Sequence, residues 1–329
     1  MNFDSFDKDD RRQAVKTFSR IHGSLVWFSI IATVAILGVQ IALLSILDEG
    51  TFNSIASSPY YIWILQVVGM YIIAFPLFLL MVRKLPSASR EQSSISLKEF
   101  GYIFLVSEAI MLAGSIFSNW FTDMMAEKFN APVTNTTSEL IMQTPIWIII
   151  LVVVIIGPIV EELIFRKVMI DKLSIYGDRL AIVVSAVAFG LFHGNFDQLF
   201  YATALGLVLG YLYTKTRKSV YNCLLHIAIN FMGTVPSLLL MDSMERMELG
   251  TATFADEILV STISSIIYYM AIAGVIIFIV ATVKRAYKFS DEQDIKIPVI
   301  HRPRVLFFNL GTIAFVGYCI ANCILSLFS

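Results

Sequence analysis

The chain has 329 residues, 57% of them hydrophobic and only 15% charged, with a mean hydropathy of +0.76, where an ordinary soluble domain has roughly 25% charged residues. It reads as an integral membrane protein, and its net charge of -1 gives no global basic field that would argue for nucleic acid. Cys223, Cys319 and Cys323 lie in apolar stretches without CxxC spacing, so they indicate neither a disulfide framework nor a zinc knuckle and read as packing residues.

Apolar runs long enough to cross ~30 Å of hydrocarbon fall at roughly 25–47, 60–82, 101–121, 145–165, 180–193, 197–214, 219–241, 260–283 and 304–328. The fold class predicted is all-α, a polytopic transmembrane helix bundle with about eight or nine spanning helices. A hydrophilic segment over 1–24 precedes the first run, helices over 25–140 and 242–329 flank a central portion over 141–241, and no internal repeat is evident. The first run follows Lys8, Arg11, Arg12, Lys16 and Arg20. It is too long for a signal-peptide core and no cleavage site follows, so it reads as a retained anchor.

Cations collect in alternate connections: Arg83, Lys84, Arg90 and Lys98; Arg166, Lys167, Lys172 and Arg179; Lys215, Arg217 and Lys218; Lys284, Arg285, Lys288, Lys296, Arg302 and Arg304. The intervening connections hold only Lys128 and Arg246. The positive-inside rule then predicts a cytoplasmic N-terminus. The fourth run ends in GPIVEELIFRK, residues 157–167, which arrives at the cytoplasmic face and is expected to be a helix end in water. The sequon Asn135-Thr136-Thr137 falls in an outer connection and carries no weight.

Ionisable groups inside membrane spans are expensive and therefore functional candidates. His22 and His301 lie in flanking polar segments and read as ordinary. His193 closes FGLFHGN, whereas His226 opens HIAINF with Asn230 one turn further along the same helical face. Glu162 and Arg166 are four apart and can pair on one face, leaving Glu161, rotated by roughly 100°, to face elsewhere. Gly157-Pro158 precede them, and the proline leaves the carbonyl of Val154 without its helical partner. The fifth and sixth runs are shorter than a full crossing. Either the membrane is thin there or the HGNFDQ connection lies below the outer surface, where His193 reaches the depth of Glu161 and His226.

EELIFR (Glu161, Glu162, Arg166), FGLFH (Phe189, His193) and HIAIN (His226, Asn230) fit EExxxR, FxxxH and HxxxN, in order and on successive polar-bearing spans. Over roughly 145–240 the chain resembles the CPBP family of CAAX proteases and bacteriocin-processing enzymes, also called the Abi family. The resemblance implies that 141–241 is the catalytic core of an intramembrane endopeptidase acting on a membrane-associated protein or peptide, in peptide maturation or bacteriocin immunity. It also implies that Glu161 activates water with His193, and that His226 and Asn230 hold the oxyanion.

The chemistry is consistent with those residues taken alone. Peptide hydrolysis needs a base, oxyanion donors and an acid for the leaving amine, and a partly desolvated carboxylate is a better base than one in water. Two imidazoles and a carboxylate, His193, His226 and Glu161, also suit zinc with an open position for water. The HExxH of common zinc proteases is absent, as are the GxSG and GxGD stretches of serine and aspartyl intramembrane proteases. Glutamate-activated water without a committed cofactor is the leading expectation, with zinc as the alternative. The competing classes are a proton-coupled transporter and a non-catalytic immunity or scaffold protein. The partners expected are the lipid bilayer and a membrane-associated substrate, with no nucleic acid, in a bacterial cytoplasmic membrane.

Overall fold

A computed structural model describes residues 6–131, 144–289 and 293–328. Among these the chain is helical, without strands: α1 (Lys8–Ile46), α2 (Glu49–Ala56), α3 (Tyr61–Val82), α4 (Leu97–Phe129), α5 (Ile146–Tyr176), α6 (Asp178–Phe192), α7 (Phe196–Thr216), α8 (Ser219–Glu248), α9 (Phe254–Val283), α10 (Arg302–Leu306) and α11 (Leu310–Leu325). The sequon at Asn135 lies outside the described residues.

Each predicted apolar run lies on its own helix, but the described residues contain seven helices long and apolar enough to cross a membrane. The difference is the α6–α7 hairpin. With 15 residues, α6 is about 22 Å long, short of the ~30 Å of hydrocarbon. α7 is longer but diluted by Gln198, Thr203, Thr214 and Lys215. The protein is a multi-pass helical membrane bundle.

The cation-rich connections meet at one end of the bundle. Ala88 N–H donates to Asp171 O at 2.8 Å and Ser93 N–H to Thr216 O at 3.0 Å, while Asp294 and Ile295 both donate to Ile175 O at 2.9 Å. Lys172 Nζ reaches Leu85 O at 3.0 Å, and Lys218 Nζ reaches Ser94 Oγ at 2.7 Å. At the other end, Trp63 at the start of α3 donates to Thr144 beside the start of α5. The sidedness read from charge alternation is therefore built into the packing.

Two local expectations change. The hydrophilic N-terminal segment is the first part of α1, capped by Asp7, with Ala14, Phe18 and Ile21 fully buried. Consequently His22 is a core residue: its ring is buried, its Nδ1 lies 2.8 Å from Thr312 Oγ1, and it stacks on Phe315. A polar flank was expected because the segment carries Lys8, Arg11, Arg12, Lys16 and Arg20, yet one helical stripe of apolar residues suffices to bury a face. The fourth span also runs on to Tyr176 instead of ending near 165, so GPIVEELIFRK lies inside the helix.

The main core joins buried residues of α1, α3, α5, α6, α7 and α11. Small residues let α6 and α7 approach closely: a Cβ at Gly206 would stand 2.9 Å from Ala186 Cα, and one at Gly190 1.9 Å from Thr203 Oγ1, the packing mode of membrane helices. The hairpin turns at Gly194, whose φ of +66° suits glycine. Asn195 then caps α7 by accepting from Gln198 N–H at 2.8 Å.

Candidate active site

Wide turns place the chemistry of α5. Ile150–Ile156 and Leu163–Ile170 are π-helical, and between them the α-helical Gly157–Glu162 carries both glutamates. Such i→i−5 insertions are uncommon and concentrate at functional sites. Gly157 N–H returns to Val152 O in that register. The next residue, Pro158, would return to Val153 but has no N–H. The carbonyl left open is thus that of Val153 instead of the expected Val154, and Asn230 Nδ2 from α8 donates to it at 3.1 Å.

The two glutamates occupy different environments. Glu162 and Arg166 have no exposed side-chain surface and pair at 3.1 Å, so the pair belongs to the protein interior, not to a helix end in water. The Glu161 side chain is 32% exposed. Lys167 is half-exposed and pairs with Asp171 at 2.9 Å, a cation nearer the boundary. The helical rotation between adjacent residues accounts for the split.

Both site histidines are oriented through Nδ1. His226 Nδ1 lies 2.9 Å from Glu162 Oε1, and its Nε2 lies 3.7 Å from Glu161 Oε2. His193 Nδ1 lies 2.8 Å from Phe189 O. A nitrogen facing a carbonyl or carboxylate oxygen carries the proton, so each neutral ring offers a bare Nε2. Phe189 joins them edge-on, with ring centroids 4.8 Å from His193 and 5.7 Å from His226. It also lies beneath the Arg166 guanidinium, 4.5 Å from its centroid. Glu161, Glu162, Arg166, Phe189, His193, His226 and Asn230 are thereby brought together from α5, α6 and α8, with His193 at the level of the other ionisable groups.

The arrangement offers a partly exposed carboxylate, two proton acceptors and an amide with one N–H spent on the backbone. The zinc alternative needs Glu161, His193 and His226 to converge on one point. Among the described residues no three His, Cys, Asp or Glu side chains are placed to hold a metal ion. The donor types suit zinc but do not converge on one point as placed, and no step runs through a metal. Tyr71 of α3 and Tyr201 of α7 come within electrostatic reach of Glu161. A tyrosine in an apolar run carries no motif, so reading the sequence passed over both.

A family profile described as "Type II CAAX prenyl endopeptidase Rce1-like" matches residues 143–232, the stretch that holds every one of these motif residues. "Putative membrane peptidase YdiL" of Bacillus subtilis (strain 168) is 31% identical over 101 residues, 30% of this chain and 39% of that protein. "Membrane-embedded CAAX protease MroQ" of Staphylococcus aureus (strain USA300) is 29% identical over 119 residues, 34% and 48% of the respective chains. The chain thus spans less than half the length of the curated relatives it matches, and no solved structure matches it. The likeness to CAAX-type membrane peptidases is thus carried by residues 143–232, set among further membrane helices.

Proposed function

We propose that this protein is an intramembrane endopeptidase that hydrolyses a peptide bond of a membrane-associated protein or peptide, with Glu161 as the base for water. The observation that carries the reading is the convergence of a partly exposed Glu161 with His226 Nε2, at 3.7 Å, and with His193 across the Phe189 ring. Water attacks the carbonyl carbon and gives its proton to Glu161. The negative charge that develops on the carbonyl oxygen is met by donors, and the proton passes by way of His193 Nε2 to the departing amine. Asn230 has one amide proton left for the oxyanion. His226 directs its Nδ1 proton to Glu162 and can serve there only when Nε2 also carries a proton. Glu162 and Arg166 orient His226 and take no part in the proton transfers. The names of the two bacterial relatives support peptidase chemistry; whether the substrate carries a lipid is decided by experiment.

The test compares protein termini and membrane peptides between cells with the wild-type chain and cells with Glu161→Gln, at matched levels of folded protein. Termini that disappear in the variant are expected. Altered solute or ion flux with unchanged termini would favour a transporter. Unchanged termini and flux would favour a scaffold.

A further inference from the structure

The site as assembled is short of oxyanion donors. Asn230 has committed one N–H to Val153 at 3.1 Å, and the Nδ1 proton of His226 belongs to Glu162 at 2.9 Å, leaving its neutral ring without a second. Acyl transfer in a site of this kind commonly relies on more than one preorganised donor.

Tyr71 enters from α3, outside the stretch that carries the family motifs. It lies in the π-helical turn Val67–Ala74 and packs against the cluster of Trp63, Ile148 and Val152, as does Val153. A Cβ on Gly157 would stand 3.5 Å from its Oη, so the hydroxyl lies against α5 where no side chain intervenes. Val153, Gly157 and Glu161 succeed one another at intervals of four residues and share a helical face. The hydroxyl therefore stands between the Asn230 anchor, one turn to one side, and the proposed base, one turn to the other. Among the described residues it makes no hydrogen bond, and it is not among the buried polar atoms sealed without a partner. Its proton is available to an incoming oxygen.

We propose that Tyr71 is a further catalytic residue, its hydroxyl donating to the oxyanion alongside the remaining amide N–H of Asn230. The inference rests on the endopeptidase reading. As water forms the new C–O bond, the carbonyl π pair moves onto oxygen, which accepts hydrogen bonds from Tyr71 O–H and Asn230 N–H. When that pair returns, the C–N bond breaks and the amine leaves with the proton first taken by Glu161. Tyr71 keeps its own proton throughout.

The experiment uses the purified full chain and a peptide spanning a terminus that depends on Glu161 in cells. Tyr71→Phe is expected to lower kcat by about 100-fold, with KM changed by less than about 3-fold, as for loss of one oxyanion donor, and with the melting temperature unchanged. Placing 3-fluorotyrosine at position 71, whose more acidic hydroxyl is a stronger donor, is expected to keep turnover at or above wild type. Wild-type kcat in Tyr71→Phe, an effect on KM alone, or a loss accompanied by a lower melting temperature and not restored by 3-fluorotyrosine would each overturn the proposal. Full cleavage by Glu161→Gln would instead overturn the endopeptidase reading and the tyrosine's role with it.

Discussion

Arg166 shows how a single residue can be costly and still retained. It has no exposed side-chain surface, pairs with Glu162 through Nε at 3.1 Å, and among the described residues leaves Nη1 and Nη2 without hydrogen-bond partners, resting instead on Phe189. A buried pair of this kind adds little net stability, whereas breaking it strands a charge at a cost of roughly 3–5 kcal/mol. Arg166→Met is therefore expected to unfold markedly earlier than wild type in detergent, and Glu162→Gln/Arg166→Met to recover most of the loss; a single variant as stable as wild type would contradict this. The different fates of Glu161 and Glu162 were legible from their rotation around the helix. The Asn230 contact was not, because it depends on the shift of α5 to an i→i−5 register, which no spacing rule in the sequence announces.

At the level of elements, the α6–α7 hairpin sets the position of His193. Gly190 lies three residues before it, and an added Cβ would meet Thr203 Oγ1 at 1.9 Å and Leu199 O at 2.5 Å. The backbone oxygen cannot rotate away. Gly190→Ala should consequently force the helices apart, lowering stability by about 1–3 kcal/mol and moving His193 off the Phe189 edge. Thermal unfolding reads the first effect, and turnover on a Glu161-dependent peptide reads the second; wild-type values for both would show that the hairpin is looser than its packing implies. The shortness of the two runs was visible in the sequence, and Gly206 and Gly210 at four-residue spacing were a signal that could have located their contact. The extension of α5 to Tyr176 was hidden because charges were taken to mark water, when here they pair with one another.

For the whole molecule, charge alternation and the stitched connections make the same statement about sidedness. In a background with Cys223, Cys319 and Cys323 replaced by alanine, Ser94→Cys should be shielded from a membrane-impermeant maleimide in intact cells, while Thr251→Cys should react; the reverse pattern would invert the topology. Hydrophobic run lengths made nearly the entire helix inventory readable, since each span must satisfy its backbone internally. Which spans touch was not readable in this way. The link from Tyr71 to Gly157 joins helices whose residues share no motif and lie far apart in the chain. Sequence order thus disclosed the proposed site residues of α5, α6 and α8 and missed the proposed one approaching from α3.

The spacing of Glu162 and Arg166 also bears on how the protein is made. Because they sit four apart on one helix, they can neutralise each other as soon as α5 forms, before α6 or α8 has left the ribosome. The segment can then pass the translocon with this charge already compensated, and a lone intramembrane carboxylate or guanidinium costs about 2.5–3.5 kcal/mol at the centre of an inserting helix. In a glycosylation-mapping assay on the isolated α5 segment, Arg166→Gln should insert less efficiently than wild type, and Glu162→Gln/Arg166→Gln should insert at least as well. An Arg166→Gln segment inserting as readily as wild type would refute the idea. On this account the ion pair serves biogenesis first, and becomes the support of His226 only when α8 arrives.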